Sequence, residues 1–408
     1  MNELRSLAAW IIDKGICSSS IEEILLGASE RLVALGYPVM RLSILMPSLD
    51  PTQRGFSISW SSSTGVSTEI TTHGTAGQKS FERSPVFYLL SNELQFARWK
   101  LSEGEDKHPY PILSELREQG ATDYVLKLIS FPGEAVLVGM GFSMAADGPQ
   151  GFSQKQIDDL DMFLPALGLA CYRIAATRTA TEMLAVYTGP RTSGRILSGQ
   201  TARGEGTAIY AAILLADLKN FSALSEVYGA NRIVAWLNEH FEAIGGAVEA
   251  NGGEILKFMG DSVLSIFPAD LDMPANACKK AFVAAQMAHT ANDNLNRRRL
   301  AAGGPELLVD VVLHVGEIFY GNVGSPRRLD FTAIGKAVNE AARIERLCDA
   351  VGRRLLVSES FANHFEGVFE KVGTFTLRGI AAAADVYGTM PHLADGRSLS
   401  ASEADVES

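Results

Sequence analysis

Two aspartates in the second half of the chain stand where carboxylates can do chemistry. An apolar run from Ile209 to Ala216 ends in Asp217, which puts a carboxylate at the tip of a buried strand. Glu254 to Phe258 reads as a strand that passes Met259-Gly260 and returns as Val263 to Phe267, setting Asp261 in a tight hairpin. If these strands lie beside the first, both carboxylates project to one spot. A single aspartate after a strand is ordinarily a turn or cap residue. A converging pair suits Mg²⁺ or Mn²⁺, hard cations that bind through carboxylate and phosphate oxygens. Two such ions at one site allow one to activate an attacking oxygen while the other steadies a leaving one.

The elements around this pair follow from pattern. A helical stretch with Leu224, Val227, Ile233, Leu237 and Phe241 follows Asp217. The first third of the chain reads as α+β. Ser20 with Glu23 is a capping box, and Ile21, Ile24, Leu25, Ala28, Leu32 and Leu35 recur behind it at helical spacing. Met40, Leu42, Ile44 and Met46, then Phe56, Ile58 and Trp60, alternate as in strands of a half-buried antiparallel sheet. Tyr124 to Phe131 and Ala135 to Met144, split by Pro132-Gly133, predict a hairpin. Ser153 and Gln156 form a second capping box that opens a long helix carrying Leu160, Leu164, Leu167, Cys171 and Ile174. This helix reads either as a parallel coiled coil or as an amphipathic core helix, because the seam is lost at Arg178 and Thr181 and Pro165 sits inside it. A linker is expected between Tyr187 and Gly206, and a disordered acidic tail at 393–408.

Composition narrows the class. A chain of 408 residues, 47% hydrophobic, supports two cored domains with connecting segments. A net charge of −11 argues against nucleic acid as a partner, since phosphate contact needs clustered Lys and Arg and only Arg297 to Arg299 form a basic run. The four cysteines are dispersed without metal-ligand spacing and read as reduced thiols, so the expected location is cytoplasmic. No uninterrupted apolar stretch reaches the ~18 residues of a membrane helix, so no membrane insertion is expected.

Four strings then carry a resemblance. Ala216-Asp217-Leu218-Lys219-Asn220-Phe221-Ser222, Lys257-Phe258-Met259-Gly260-Asp261, His314-Val315-Gly316-Glu317 running on to Gly321-Asn322-Val323-Gly324, and Asp330-Phe331-Thr332-Ala333-Ile334-Gly335-Lys336-Ala337-Val338-Asn339-Glu340-Ala341-Ala342-Arg343 occur in order over residues 205 to 390. The segment resembles the class III adenylate/guanylate cyclase catalytic domain. The resemblance implies a ferredoxin-like βαββαβ domain over 207–392 that closes ATP into 3′,5′-cyclic AMP and pyrophosphate with two Mg²⁺ or Mn²⁺ ions per site. It makes Asp217 and Asp261 the metal carboxylates, with the Leu218 carbonyl as a further ligand. Lys257 and Thr332 fall where the family reads the purine, a pair that suits adenine. Asn339 and Arg343, one helical turn apart, match the ribose-positioning and transition-state residues. Phe221, Ser222 and Arg378 fall at substrate-phosphate positions, with Asn220 where the family often has Gly and Lys336 where it often has Asp or Asn.

The family's sites are shared between two subunits, which implies a homodimer. Residues 1–152 resemble a GAF sensor domain for an unknown small ligand or protein, joined by a signalling helix and linker over 153–206. His314 lies within the strand Leu307 to Val315 and reads as a satisfied histidine, not as a base. His73, His108 and Cys17 are isolated and support no chromophore. A guanylate cyclase and a non-catalytic nucleotide-binding module stay open beside the adenylate cyclase.

Overall fold

The computed structural model describes residues 2–18, 20–48, 53–72, 74–102, 110–131, 138–269, 273–377 and 383–389. Arg378, His73, His108, Pro132-Gly133 and the tail lie outside them. The chain divides into two compact units, Met1–Leu184 and Ala185–Ser408.

In the first unit, α1 (Asn2–Cys17) and α2 (Ile21–Ala34) precede β1 (Val39–Pro47), β2 (Gln53–Ser61) and β3 (Gly65–Thr72). Then come α3 (Thr75–Glu82), α4 (Pro85–Ser91), β4 (Phe96–Lys100), α5 (Pro111–Glu118), β5 (Asp123–Ser130) and β6 (Gly139–Ala146). The six strands form one sheet in the order β3-β2-β1-β6-β5-β4. It is covered on both faces, where a half-buried sheet was expected. Leu42, Ile44, Phe142 and Met144 pack with the buried faces of α1 and α2 on one side, and Tyr124, Leu126 and Ala145 with Leu89, Leu113 and Leu116 on the other. Small buried serines line part of that second face, where Ser43 and Ser59 hydrogen-bond at 2.8 Å. Asp123, fully buried, survives by accepting from Arg98 Nη2 at 2.7 Å, Lys100 Nζ at 3.1 Å and the Phe152 amide at 2.8 Å.

The capping signals differ in outcome. Ser153 makes the full reciprocal box with Gln156 and starts α6 (Gln154–Asp158), which leads into α7 (Leu160–Thr188). Ser20 caps the Glu23 amide at 3.1 Å, but the Glu23 carboxylate turns to Ser18 and Lys14, so only half of that box forms. Leu160, Phe163, Leu164, Leu167, Cys171 and Ile174 of α7 are core residues, and burial stops at Ala175, ahead of Arg178 and Thr181. By length and hydropathy, Gln154–Thr188 is long and apolar enough to cross a membrane, contrary to expectation, but half of its apolar window is buried as in a core helix.

The second unit opens with α8 (Pro190–Leu197), inside what the sequence presented as linker. It continues with β7 (Gly206–Leu218), α9 (Phe221–Val227), α10 (Ala230–Ala250), β8 (Glu254–Met259), β9 (Ser262–Ala269), α11 (Pro274–Ala301) and β10 (Val309–Ser325). The helical stretch expected after Asp217 is broken between α9 and α10 at Tyr228-Gly229. Next follow β11 (Arg328–Ile334), α12 (Lys336–Glu345), α13 (Cys348–Val351), β12 (Leu355–Ser358), α14 (Glu359–Ala362), β13 (Phe369–Phe375) and β14 (Ala384–Thr389). Seven strands run β13-β14-β12-β10-β7-β9-β8, and β11 pairs with β10. The central strands are apolar on both sides: Ala212, Leu214 and Ala216 face α10 and α11, while Ala211, Ile213 and Leu215 face α12. This sandwich fixes the ends of β7 and the β8–β9 hairpin, and with them the two aspartates.

Candidate active site

Asp217 is the penultimate residue of β7, next to buried Leu218. The register of β7 with β9 pairs Ala216 with Val263, so Asp217 runs alongside Ser262, whose Oγ donates to its carboxylate. Asp261 is the residue before Ser262, in a turn made possible by Gly260 at φ 71°. The two aspartates therefore lie at adjacent strand ends, near enough for the charge of one to act on the other. Burial pushes the Asp217 carboxyl upward, opposed by the Ser262 hydrogen bond and reinforced by Asp349. Burial and then the charge of Asp217 push Asp261 upward as well. Two part-buried carboxylates, both pushed upward and the first raising the proton affinity of the second, form a site short of positive charge.

That electrostatic shortfall and the all-oxygen donor set fit divalent cations. Among the described residues no group of three or more His, Cys, Asp and Glu could hold a metal; a cation at the two aspartates would complete its shell with backbone, substrate and water oxygens.

Behind Asp217 lies a wider acidic region that the sequence reading passed over. Asp310 on β10 is buried, and Lys219 lies between it at 3.9 Å and Asp349 at 2.5 Å. Glu345, at the end of α12, is pushed up to about 7 by burial and by the charges of Asp217 and Asp310. The signal for Asp310 was a lone charge inside the apolar run Leu307 to Val315.

Asn220 follows in left-handed backbone at φ 58° and caps α9, whose first residues are Phe221 and Ser222. Asn is among the few residues with a side chain that takes this conformation readily. The turn therefore forms without the family's glycine.

Lys257 sits on β8 with its side chain 41% exposed, and its ammonium is ion-paired with Asp330 on β11. The pairing of β8 with β9 slips between Ile255 and Lys257. The extra residue, Leu256, turns Lys257 onto the face of its partner Leu264, the face that also carries Glu254 opposite Ile266. Asp330 and Thr332 are two apart on β11 and share a face by strand alternation. Thr332 is buried opposite Gly321. The structure thus ties the two expected base-reading strands together within one chain through Asp330, a residue the sequence reading did not single out. Its spacing from Thr332 was the available signal.

Asn339 and Arg343 lie one turn apart on α12, exposed and half-buried respectively. No hydrogen bond or ion pair among the described residues joins either to Asp217 or Asp261. His314 is buried, with its Nδ1 3.5 Å from Ser360 Oγ, and burial and Lys336 push it down to about 4. It is a neutral core histidine, as its strand position implied.

Residues 208–388 match the family model for the adenylate and guanylate cyclase catalytic domain. This segment is a class III nucleotidyl cyclase catalytic domain. The cyclase domain is 30% identical to Adenylate cyclase 1 of Rhizobium meliloti (strain 1021) over 190 residues, 45% of this chain and 27% of the relative. It is 32% identical to the adenylate cyclase of Anabaena cylindrica over 149 residues, 36% of this chain and 29% of that one. The chain thus spans less than a third of the length of these two curated relatives. Among solved structures, the adenylyl cyclase CyaB from P. aeruginosa aligns with a TM-score of 0.43 at 23% identity, covering 47% of this chain and 97% of that one.

Proposed function

We propose that this chain is an adenylate cyclase that converts ATP to 3′,5′-cyclic AMP and pyrophosphate at sites completed by a second copy of itself. The observation that carries the reading is the Lys257–Asp330 pair beside Thr332, within a cyclase domain whose Asp217 and Asp261 converge. A lysine donor faces the adenine ring nitrogen, and a threonine hydroxyl accepts from or donates to its edge. A guanine reader would need an acceptor for the ring N–H where Lys257 stands.

Asp217 and Asp261 would hold Mg²⁺ or Mn²⁺, with the Leu218 carbonyl beside them; such ions supply charge neutralisation for the attacking and leaving oxygens. The residues of the chain do the rest. Asn339 positions the ribose so that its 3′ oxygen lies in line with the α-phosphorus. The new bond joins that oxygen to the α-phosphorus, the bond to the bridging oxygen breaks, and pyrophosphate leaves. The 3′ proton passes to substrate or water. Arg343 offsets the charge that moves onto the leaving group. In this reading Arg343 meets the substrate of the partner copy's carboxylates, as expected for a site shared between two subunits.

The first unit reads as a GAF-like sensor that adjusts the alignment of the two copies through α7, and the whole as a cytoplasmic signalling enzyme. The deciding assay incubates purified protein with ATP or GTP and Mg²⁺ or Mn²⁺ and identifies the product by mass, beside an Asp217→Ala control. Cyclic AMP from the parent chain alone supports the reading; cyclic GMP in its place, or no cyclic product, ends it.

A further inference from the structure

The short helix α8 is fastened to the cyclase domain around Glu254 and Tyr320, and its Arg195 guanidinium lies over the Tyr320 ring at 4.8 Å. Glu254, the first residue of β8, is 4% exposed. Its Oε1 accepts from the Thr192 amide and the Thr192 hydroxyl, each at 3.2 Å, and its Oε2 accepts from the Tyr320 hydroxyl at 2.9 Å. The Thr192 and Tyr320 hydroxyls are themselves 3.2 Å apart. A buried carboxylate is tolerated only when its oxygens are satisfied, and here the donors include a first-turn amide of α8, whose positive helix end favours the charge. Thr192 and Tyr320 are equally buried, at 1% and 2%.

The rest of α8 is weakly held. Its fully buried residues are Thr192 and Ser193, both polar, and Leu197 is 53% exposed. Its sequence, with Gly194, Ser193 and Thr192 in eight residues, is a poor helix former. A groove of about 420 Å³ lies along one side, against Ile209 and Pro268, and a cavity of about 240 Å³ along the other, against Leu256 and Phe331. Gly189, at φ 85°, is the single residue between α7 and α8, and a Cβ there would come within 3.4 Å of Glu254 Oε1. Such an element opens at low free energy unless its contacts with Glu254 and Tyr320 hold.

The anchor touches the strands that read the base. Glu254 lies three residues before Lys257 on β8, and Tyr320 adjoins Gly321, the cross-strand partner of Thr332. We propose that Glu254, Thr192 and Tyr320 form a latch: docked, α8 holds β8 and β10 in the register that presents Lys257 and Thr332 to the purine, and release of α8 weakens nucleotide binding. The latch is a regulatory device, since every covalent path from the first unit to β7 runs through α8. It acts on recognition of the base, not on the phosphate chemistry at Asp217 and Asp261. Its kinetic consequence rests on the adenylate cyclase reading; the structural coupling does not.

The test uses the full chain with Thr192→Val, Tyr320→Phe and Glu254→Gln, the first two near-isosteric so that the fold persists. Hydrogen exchange should accelerate roughly tenfold over both α8 and β8 in each variant, with β1 and β12 unchanged. The KM for ATP should rise roughly three- to tenfold while kcat stays within about twofold. Unchanged exchange in β8 overturns the proposal, as does faster exchange in β8 with an unchanged KM. If the parent chain makes no cyclic nucleotide, the adenylate cyclase reading fails by itself. Exchange rates together with the Kd for ATP, measured by titration, then decide the latch on the same criteria.

Discussion

Asp310 stands directly opposite Asp217 in the antiparallel pairing of β7 with β10. Like charges in that relation destabilise a sheet. Burial raises both carboxyls, Lys219 eases Asp310, and the Asp217 charge adds to the rise at Asp310. Glu345 carries the same strain further, pushed from 4.5 to about 7.

The consequence is a stability that depends on pH in the metal-free protein. A carboxyl whose folded affinity for the proton is raised contributes stability that is complete below about pH 4.5 and lost as the pH climbs through about 7. At about 1.4 kcal/mol for each tenfold in proton affinity, the Glu345 shift sets a ceiling of about 3 kcal/mol. Partial solvent access brings the expected effect to roughly 1–2 kcal/mol. Glu345→Gln should therefore stabilise the metal-free chain at pH 8 and change little at pH 4.5. Urea unfolding at both pH values checks this, and an equal effect at the two would contradict it.

The Lys257–Asp330 pair predicts a change in specificity without a change in stability. Both side chains are more than 40% exposed, so the pair contributes only about 0.2–1 kcal/mol to folding. Lys257→Glu removes the donor to adenine and places a second carboxylate against Asp330. The kcat/KM for ATP should fall at least about tenfold and the ratio of GTP to ATP turnover should rise, with Tm moving by no more than a few degrees. Unchanged ATP kinetics would take Lys257 out of base reading.

Much of this site was legible because its signals were local. Asp217 closes an apolar strand and Asp261 sits in a two-residue turn, so strand pairing alone brings them together. The two-residue spacing of Asp330 from Thr332 places both on one strand face, but its pairing with Lys257 depends on the slip at Leu256, a tertiary register that the sequence does not announce. Asp310 is a lone charge inside a run that otherwise reads as a buried strand, and that mismatch is its one local sign. The helix α8 escaped because Gly, Ser and Thr hid it, leaving Pro190 at its start as the one local sign. The covered second face of the first sheet was missed because buried serines imitate a solvent-facing alternation.

Arg343 offers a test of where the site is assembled. Replacing it with Ala should lower kcat by about 10²–10³ with a modest change in KM, and Lys should restore little, since a point charge does not reproduce the planar fork. An Asp217→Asn chain should also be inactive. Mixed in equal amounts and allowed to exchange subunits, the two inactive chains should recover about a quarter of parent activity, because half of the dimers then hold one intact site. Recovery of nothing, with exchange verified by mass, would place both residue sets in a single-chain site.

Asn220 separates backbone from side chain. It holds φ 58° at the start of α9, and its side chain makes no capping hydrogen bond. What the position needs is the conformation, so Asn220→Gly should keep Tm within about a degree or two and leave the ATP KM nearly unchanged. Asn220→Val forces a β-branched side chain into left-handed backbone at a cost of roughly 1–2 kcal/mol. Relief of that strain would shift Phe221 and Ser222, which follow directly, and the ATP KM should rise severalfold with it. Thermal unfolding and steady-state kinetics on the two variants give the result, and a valine variant matching the glycine one in both would show that the turn is not held by its backbone.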